Sequence, residues 1–204
     1  MKTNILTIFK HTWGLMMSTA LTWEAIRTEL KSENSTFKTF VLPWTIIVSL
    51  VVSVFSALYS TQKVIETGFV MGFVTAIAIV GSYYLSRSLA FSFFRKNHSD
   101  LFSKSDISKI VAHSFSVVYL TKIIASIIPS LFFLQILNVY TVYIVWEGCR
   151  IFFNINEDER GKSMLLISLC VIFMPSIISR IILMMLPGFW SALFALLQKN
   201  ACYV

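Results

Sequence analysis

Apolar positions dominate Phe40–Leu58 and Gly68–Phe94, with a polar break at Thr61–Thr67 between them. Each run is long enough for an α-helix to cross a hydrocarbon core about 30 Å thick, which takes about 20 residues. Three further apolar stretches follow, at 111–129, 131–153 and 163–186. Pro129-Ser130 forms a tight turn between the first two, and the charged stretch Asn154–Lys162, with a helix-breaking Gly161, separates the last two. The pattern predicts an all-α polytopic membrane protein, a bundle of five transmembrane helices spanning residues 40–186. Pro43 falls in the first turn of span one, where its missing N–H is tolerated. Ser105 or Asp106 is placed to cap the helix that continues as span three, and Pro175 to kink span five. After Pro187-Gly188, residues 187–204 read as an apolar tail in the outer interface.

Residues 1–39 form a separate segment. From Ile5 to Leu30, apolar side chains recur at helical spacing (Ile5, Phe9, Trp13, Met16, Ala20, Trp23, Ile26), with Lys10, Glu24 and Arg27 on other faces. Such an amphipathic stripe suits a helix or helix pair in the headgroup layer, or one packed against the cytoplasmic end of the bundle. Lys10 and His11 interrupt the apolar start, so the chain is read as mature from its first residue.

Composition supports the membrane reading. Of 204 residues, 56% are hydrophobic and 13% charged, with a mean hydropathy of +0.76. Taking the segments between spans alternately, eleven of the 17 Lys and Arg fall on one side and two on the other. Basic residues stay cytoplasmic, which puts the N-terminus inside, the C-terminus outside, and the chain in the cell membrane. The net charge of +7 belongs to these segments beside the spans, where anionic lipid headgroups are the expected partner rather than nucleic acid.

Four basic residues lie inside the runs: Arg87, Lys122, Arg150 and Arg180. Glu147 is the one carboxylate there. At about 1.5 Å per residue, Arg87 and Glu147 sit at matching depths, about 10 and 9 Å from the cytoplasmic end, with Lys122 about 16 Å deep. Tyr143, Glu147 and Arg150 share a face of span four, and Tyr119 and Lys122 a face of span three. The expectation is one intramembrane polar cluster of Arg87, Tyr119, Lys122, Tyr143, Glu147 and Arg150, either a structural ion pair or a ligand site. Gly68, Gly72 and Ala76, at four-residue spacing, form a seam for close helix packing, within the chain or between copies.

No nucleophile elbow, zinc-protease, nucleotide-binding or Cys-x-x-Cys motif occurs. His11, His98 and His113 lie on separate segments, and Cys149, Cys170 and Cys202 have neither disulfide nor metal spacing. No catalytic residue, metal or cofactor is expected.

The order of several short motifs resembles the Yip family, the Rab-interacting Yip-domain membrane proteins and their bacterial members. Trp23-Glu24-Ala25-Ile26 with Glu29 resembles the family's W-x-x-I-x-x-E lead-in. Phe37 through Val41-Leu42-Pro43 resembles the entry to its first span. Ala112-His113-Ser114 through Pro129-Ser130 resembles its third span, with His113 where the family has tyrosine. Tyr140-x-x-Tyr143 through Glu147-Gly148 resembles its fourth. The resemblance implies five spans, a cytoplasmic N-terminus and a non-enzymatic role. That role would be organising membrane or partner proteins through the cytoplasmic face, as a homo-oligomer or with another membrane protein. A small channel, transporter or lipid-binding protein built on the polar cluster is the alternative.

Overall fold

The computed structural model describes residues 5–28, 33–60, 64–97, 103–153 and 157–201; side chains beyond 186 are outside the description. Every described element is helical: α1 (Ile5–Met17), α2 (Thr19–Thr28), α3 (Glu33–Thr36), α4 (Leu42–Tyr59), α5 (Val64–Asn97), α6 (Lys104–Ser114), α7 (Ser116–Ile127), α8 (Tyr140–Phe152) and α9 (Glu157–Ala201). A π-helical turn, Phe37–Val41, joins α3 to α4, and a 3-10 segment, Pro129–Val139, joins α7 to α8. Four stretches are long and apolar enough to cross a membrane: Phe37–Tyr59, Ile65–Arg95, Lys104–Ile127 and Gly161–Leu186.

Their outward faces are apolar. Leu42, Ile46, Leu50, Val54 and Leu58 form an exposed stripe along α4, and Leu165, Leu169, Phe173, Ile177 and Ile181 another along α9. The opposite face of α4 buries Trp44, Val48 and Val52. Helices apolar on both faces belong in lipid. The centre of the bundle is the α6–α7 span, where each residue from Ile107 to Tyr119 is buried. It bends at Phe115, flanked by Ser114 and Ser116, whose hydroxyls donate to the carbonyls of Ile110 and His113 at 2.7 and 2.6 Å.

Three features depart from expectation. The first span starts at Phe37, because the π turn lets the Leu42 N–H reach the Phe37 carbonyl. This wider turn precedes Pro43, which has no N–H and would crowd the carbonyl one turn back. Gly161 does not break the chain; it lies inside α9, which also runs on through Pro187 and Gly188. Ser103, rather than Ser105 or Asp106, caps α6 by accepting the Ser105 N–H at 3.2 Å. The polar break at Thr61–Thr67 and the charged stretch Asn154–Lys162 fall partly outside the described residues, as do several of the charges that set the orientation.

The stretch expected as span four is no long α-helix. It pairs eleven 3-10 residues with the 13 residues of α8. It nonetheless runs back along the central span. Pro129 follows the end of α7, where the Tyr59 hydroxyl donates to the Ile127 carbonyl at 2.6 Å. Further along, Thr121 donates to Asn138 Oδ1 at 2.7 Å. At the other end, the Lys109 ammonium lies 6.0 Å from the Phe152 ring and Phe153 packs on Phe94 at 4.7 Å.

The N-terminal segment is a helical hairpin docked on the bundle. Ile8, Leu15, Trp23 and Ile26 are buried, while Trp13, Met17 and Leu21 are exposed on the outer side and the half-exposed Phe9 ring packs on Trp44 at 5.1 Å. Trp23 Nε1 donates to the Ile144 carbonyl at 3.0 Å, and its ring faces Phe152 edge-on at 5.8 Å. Arg27 reaches the Ile151 carbonyl at 2.7 Å.

Candidate functional site

Of the six clustered residues, the structure joins Glu147 and Arg150. They lie one turn apart on α8, with Glu147 Oε2 2.9 Å from Arg150 Nη2, an ion-pair contact rather than an aligned hydrogen bond. Glu147 is buried and Arg150 half exposed, so the arginine carries the pair's charge out toward the surface. Tyr143 is exposed and packs on Tyr140. Tyr119 is buried in a stack with Trp44 and Phe115 at 5.7 and 5.8 Å, and its hydroxyl has no hydrogen-bond partner among the described residues. Arg87 lies near the end of α5, beside Tyr83, with its guanidinium carbon 5.9 Å from the Tyr84 ring.

Lys122 stands elsewhere. The Thr121–Asn138 hydrogen bond sets the register between α7 and the returning chain, and Glu147 comes nine residues after Asn138. That is about 13 Å along a helix, too far for an ion pair. Among the described residues no hydrogen bond or ion pair meets the Lys122 ammonium.

Two cavities meet at Lys122 instead. One, of about 210 Å³, lies toward α9 and the 3-10 segment and is lined by Thr121, Ser126, Gln135, Asn138, Pro175 and Ser176. The other, of about 340 Å³, lies toward α4 and α5 and includes Ser56, Tyr59, Thr75, Ser126, Pro129 and Ser179. Val52, Met71, Val74 and Leu183 give the second cavity an apolar wall. Tyr59 and Pro129 lie on its wall at the end of the bundle away from Lys104. None of the described lining residues is acidic. A lysine in the hydrocarbon costs about 2.5–3.5 kcal/mol on insertion scales unless it meets a partner or a wet cavity. Here hydroxyls and amides supply the polar surroundings, and an anion could complete them. The helical spacing of Ser176 and Ser179, three apart in an apolar run, is the sequence signal for this wall; Gln135 and Asn138 repeat it on the facing segment.

Gly68 and Gly72 face α4. A Cβ at Gly68 would stand 2.7 Å from the Ser53 carbonyl, and one at Gly72 2.8 Å from Ser53 Cβ. Ala76, one turn on, is half-buried. This use of the two glycines is within the chain.

A second centre, at His113, was not evident from spacing. His113 is buried, with Nδ1 2.9 Å from the Lys109 carbonyl. Its ring meets Phe40 at 4.1 Å, His11 at 5.9 Å and Trp23 at 6.0 Å, so four segments converge there. Among the described residues no group of three or more His, Cys, Asp or Glu could hold a metal ion. Compared with known proteins, the chain matches no protein-family model, no curated protein and no solved structure.

Proposed function

We propose that this chain is a non-enzymatic integral membrane protein of Yip type that holds an anionic amphiphile, a lipid or fatty-acid-like molecule, in the cavities around Lys122. One observation carries the reading: a lysine within a membrane-spanning stretch that meets no hydrogen-bond or ion-pair partner among the described residues, shared by two cavities that bring hydroxyls and amides to it and no described carboxylate. The apolar wall of Val52, Met71, Val74 and Leu183 suits the tail of such a molecule. In this reading the segment 129–152 is a fifth crossing of mixed 3-10 and α character, the N-terminus is cytoplasmic, and the Tyr59–Pro129 end of the second cavity lies toward the outer side of the cell membrane. The basic segments favour that orientation.

The organising role fits less well. The inner face of the N-terminal hairpin is occupied by the bundle, so a partner protein would have to meet Trp13, Met17 and Leu21 on its outer face. Binding of dansyl-undecanoate to the full chain in phosphatidylcholine vesicles tests the leading reading. Lys122→Met is expected to weaken binding at least tenfold, and Lys122→Arg to retain most of it. Equal binding by wild type and Lys122→Met would remove the cavity from consideration.

A further inference from the structure

The apolar face that the N-terminal hairpin turns away from the bundle lies deep. Phe9 packs on Trp44 at 5.1 Å, and Trp44 is seven residues past the start of the first membrane stretch, about 10 Å inside it. At the bend between α1 and α2, the Tyr140 hydroxyl donates to the Met16 carbonyl at 3.2 Å. Tyr140 comes two residues after Asn138, which holds Thr121. Thr121 lies 17 residues along the central span from Lys104, about 25 Å from that end. α2 then runs back along α8 until Arg27 meets the Ile151 carbonyl. The bend is therefore level with the interior of the spans, and the far end of α2 with their Lys104 end. Trp13, Met17 and Leu21 recur at four-residue spacing through the bend and are exposed, and no Asp, Glu, Lys or Arg falls between Lys10 and Glu24. Glycine at position 14 lets the arms close, since a Cβ there would stand 2.5 Å from Thr22 Oγ1. The polar groups of the bend are met from within. The Ser18 N–H donates to the Gly14 carbonyl at 2.8 Å and the Thr22 N–H to the Ser18 carbonyl at 3.1 Å. The Thr19 and Thr22 hydroxyls donate to the Leu15 and Ser18 carbonyls at 2.8 and 3.0 Å. A bend so satisfied can stand in hydrocarbon, where an open loop cannot.

We infer that this bend is a re-entrant wedge, its outer face of Trp13, Met17 and Leu21 covered by lipid acyl chains in the leaflet on the Lys104 side. Continuity with the spans favours lipid over a partner protein. Leu42 and Ile46 flank Trp44 along α4, and Val139 and Tyr143 flank Tyr140; all four are exposed, so the hairpin's outer face extends an apolar belt around the spans. Lys10, Glu24 and Arg27, all exposed, keep to the arms, from which long side chains can reach the headgroup layer. The inference needs neither Lys122 nor its cavities.

The test uses the full chain, its cysteines replaced by serine, in phosphatidylcholine vesicles. Nitroxide labels on Met17→Cys, Leu21→Cys and Glu24→Cys are read for collision with oxygen, which concentrates among acyl chains, and with a water-soluble nickel chelate. The ratio of oxygen to nickel collisions should be severalfold higher at 17 and 21 than at 24. Nickel access at 17 and 21 equal to that at 24 would leave the bend in water and overturn the wedge. Low collision with both probes would mean that protein, a second copy included, covers the face, and would overturn it as well. Phosphatidylcholine brominated in its acyl chains gives a reading on the unlabelled chain with its cysteines intact. Wild-type tryptophan fluorescence should be quenched by a larger fraction than that of Trp13→Phe, and equal fractions would place Trp13 outside the lipid and refute the inference.

Discussion

Tyr119 puts a hydroxyl where no described residue accepts or donates to it, inside a stack of Trp44 and Phe115. An unsatisfied buried polar group costs about 1–3 kcal/mol, so Tyr119→Phe should leave the thermal midpoint unchanged or raise it. A clear loss of stability would show that the hydroxyl is engaged. Gly148 presents the opposite case. A Cβ there would stand 3.0 Å from the Trp23 ring, and Trp23 is wholly buried. Gly148→Ala should destabilise the hairpin's seat by about 1–3 kcal/mol, read as faster tryptic cutting at Arg27 and a lower midpoint. The sequence offered Trp23 and Gly148 as parts of two separate motifs; that one sits on the other follows only from packing. Glu147 shows how depth matching falls short. Counting residues from a span's end gives height in the membrane but not azimuth, and the cation Glu147 meets is Arg150, one turn away on the same helix.

At the scale of elements, the α4–α5 pair rests on small residues. Gly72→Leu would drive a side chain into Ser53 and the Ser49 carbonyl, at a cost of about 1–3 kcal/mol or more. A lower midpoint in detergent is expected, and an unchanged one would mean that the two helices can separate without harm. Removing residues 1–28 should lower stability further, because Trp44, His113 and Ile144 would lose their cover; thermal unfolding of the truncated chain measures it. Four helices were legible from apolar length alone, since a crossing must be apolar over about 20 residues. The fourth expected span was not legible in its true form. Apolar content does not distinguish 3-10 from α geometry, and the kink at Leu131 after Pro129 leaves no mark in a hydropathy pattern. The hairpin's buried stripe was readable as an amphipathic helix, but whether lipid or protein covered it was not.

For the whole molecule, the decisive question is the side on which α9 begins. If segment 129–152 crosses, Lys104→Cys and Lys162→Cys, placed singly in a cysteine-free chain, should react with an impermeant maleimide from the same, cytoplasmic side. Reaction from opposite sides would mean four crossings and would turn α9 around. Charge asymmetry made orientation readable, because basic residues resist transfer across the bilayer. The Lys122 cavities were not readable in the same way. Their walls come from α4, α5, α7, the 3-10 segment and α9, and no linear pattern records which of those faces meet.

The Trp23 indole closes on a carbonyl 121 positions downstream. During synthesis, α1 and α2 leave the ribosome before α8 and must wait, with their apolar stripe uncovered, until α8 has been translated and inserted. These two helices, made before the bundle, are thus among the last to settle. A nascent chain stalled before Ile144 should expose its amino-terminal end to chaperones or to protease, and one stalled well past Phe153 should not.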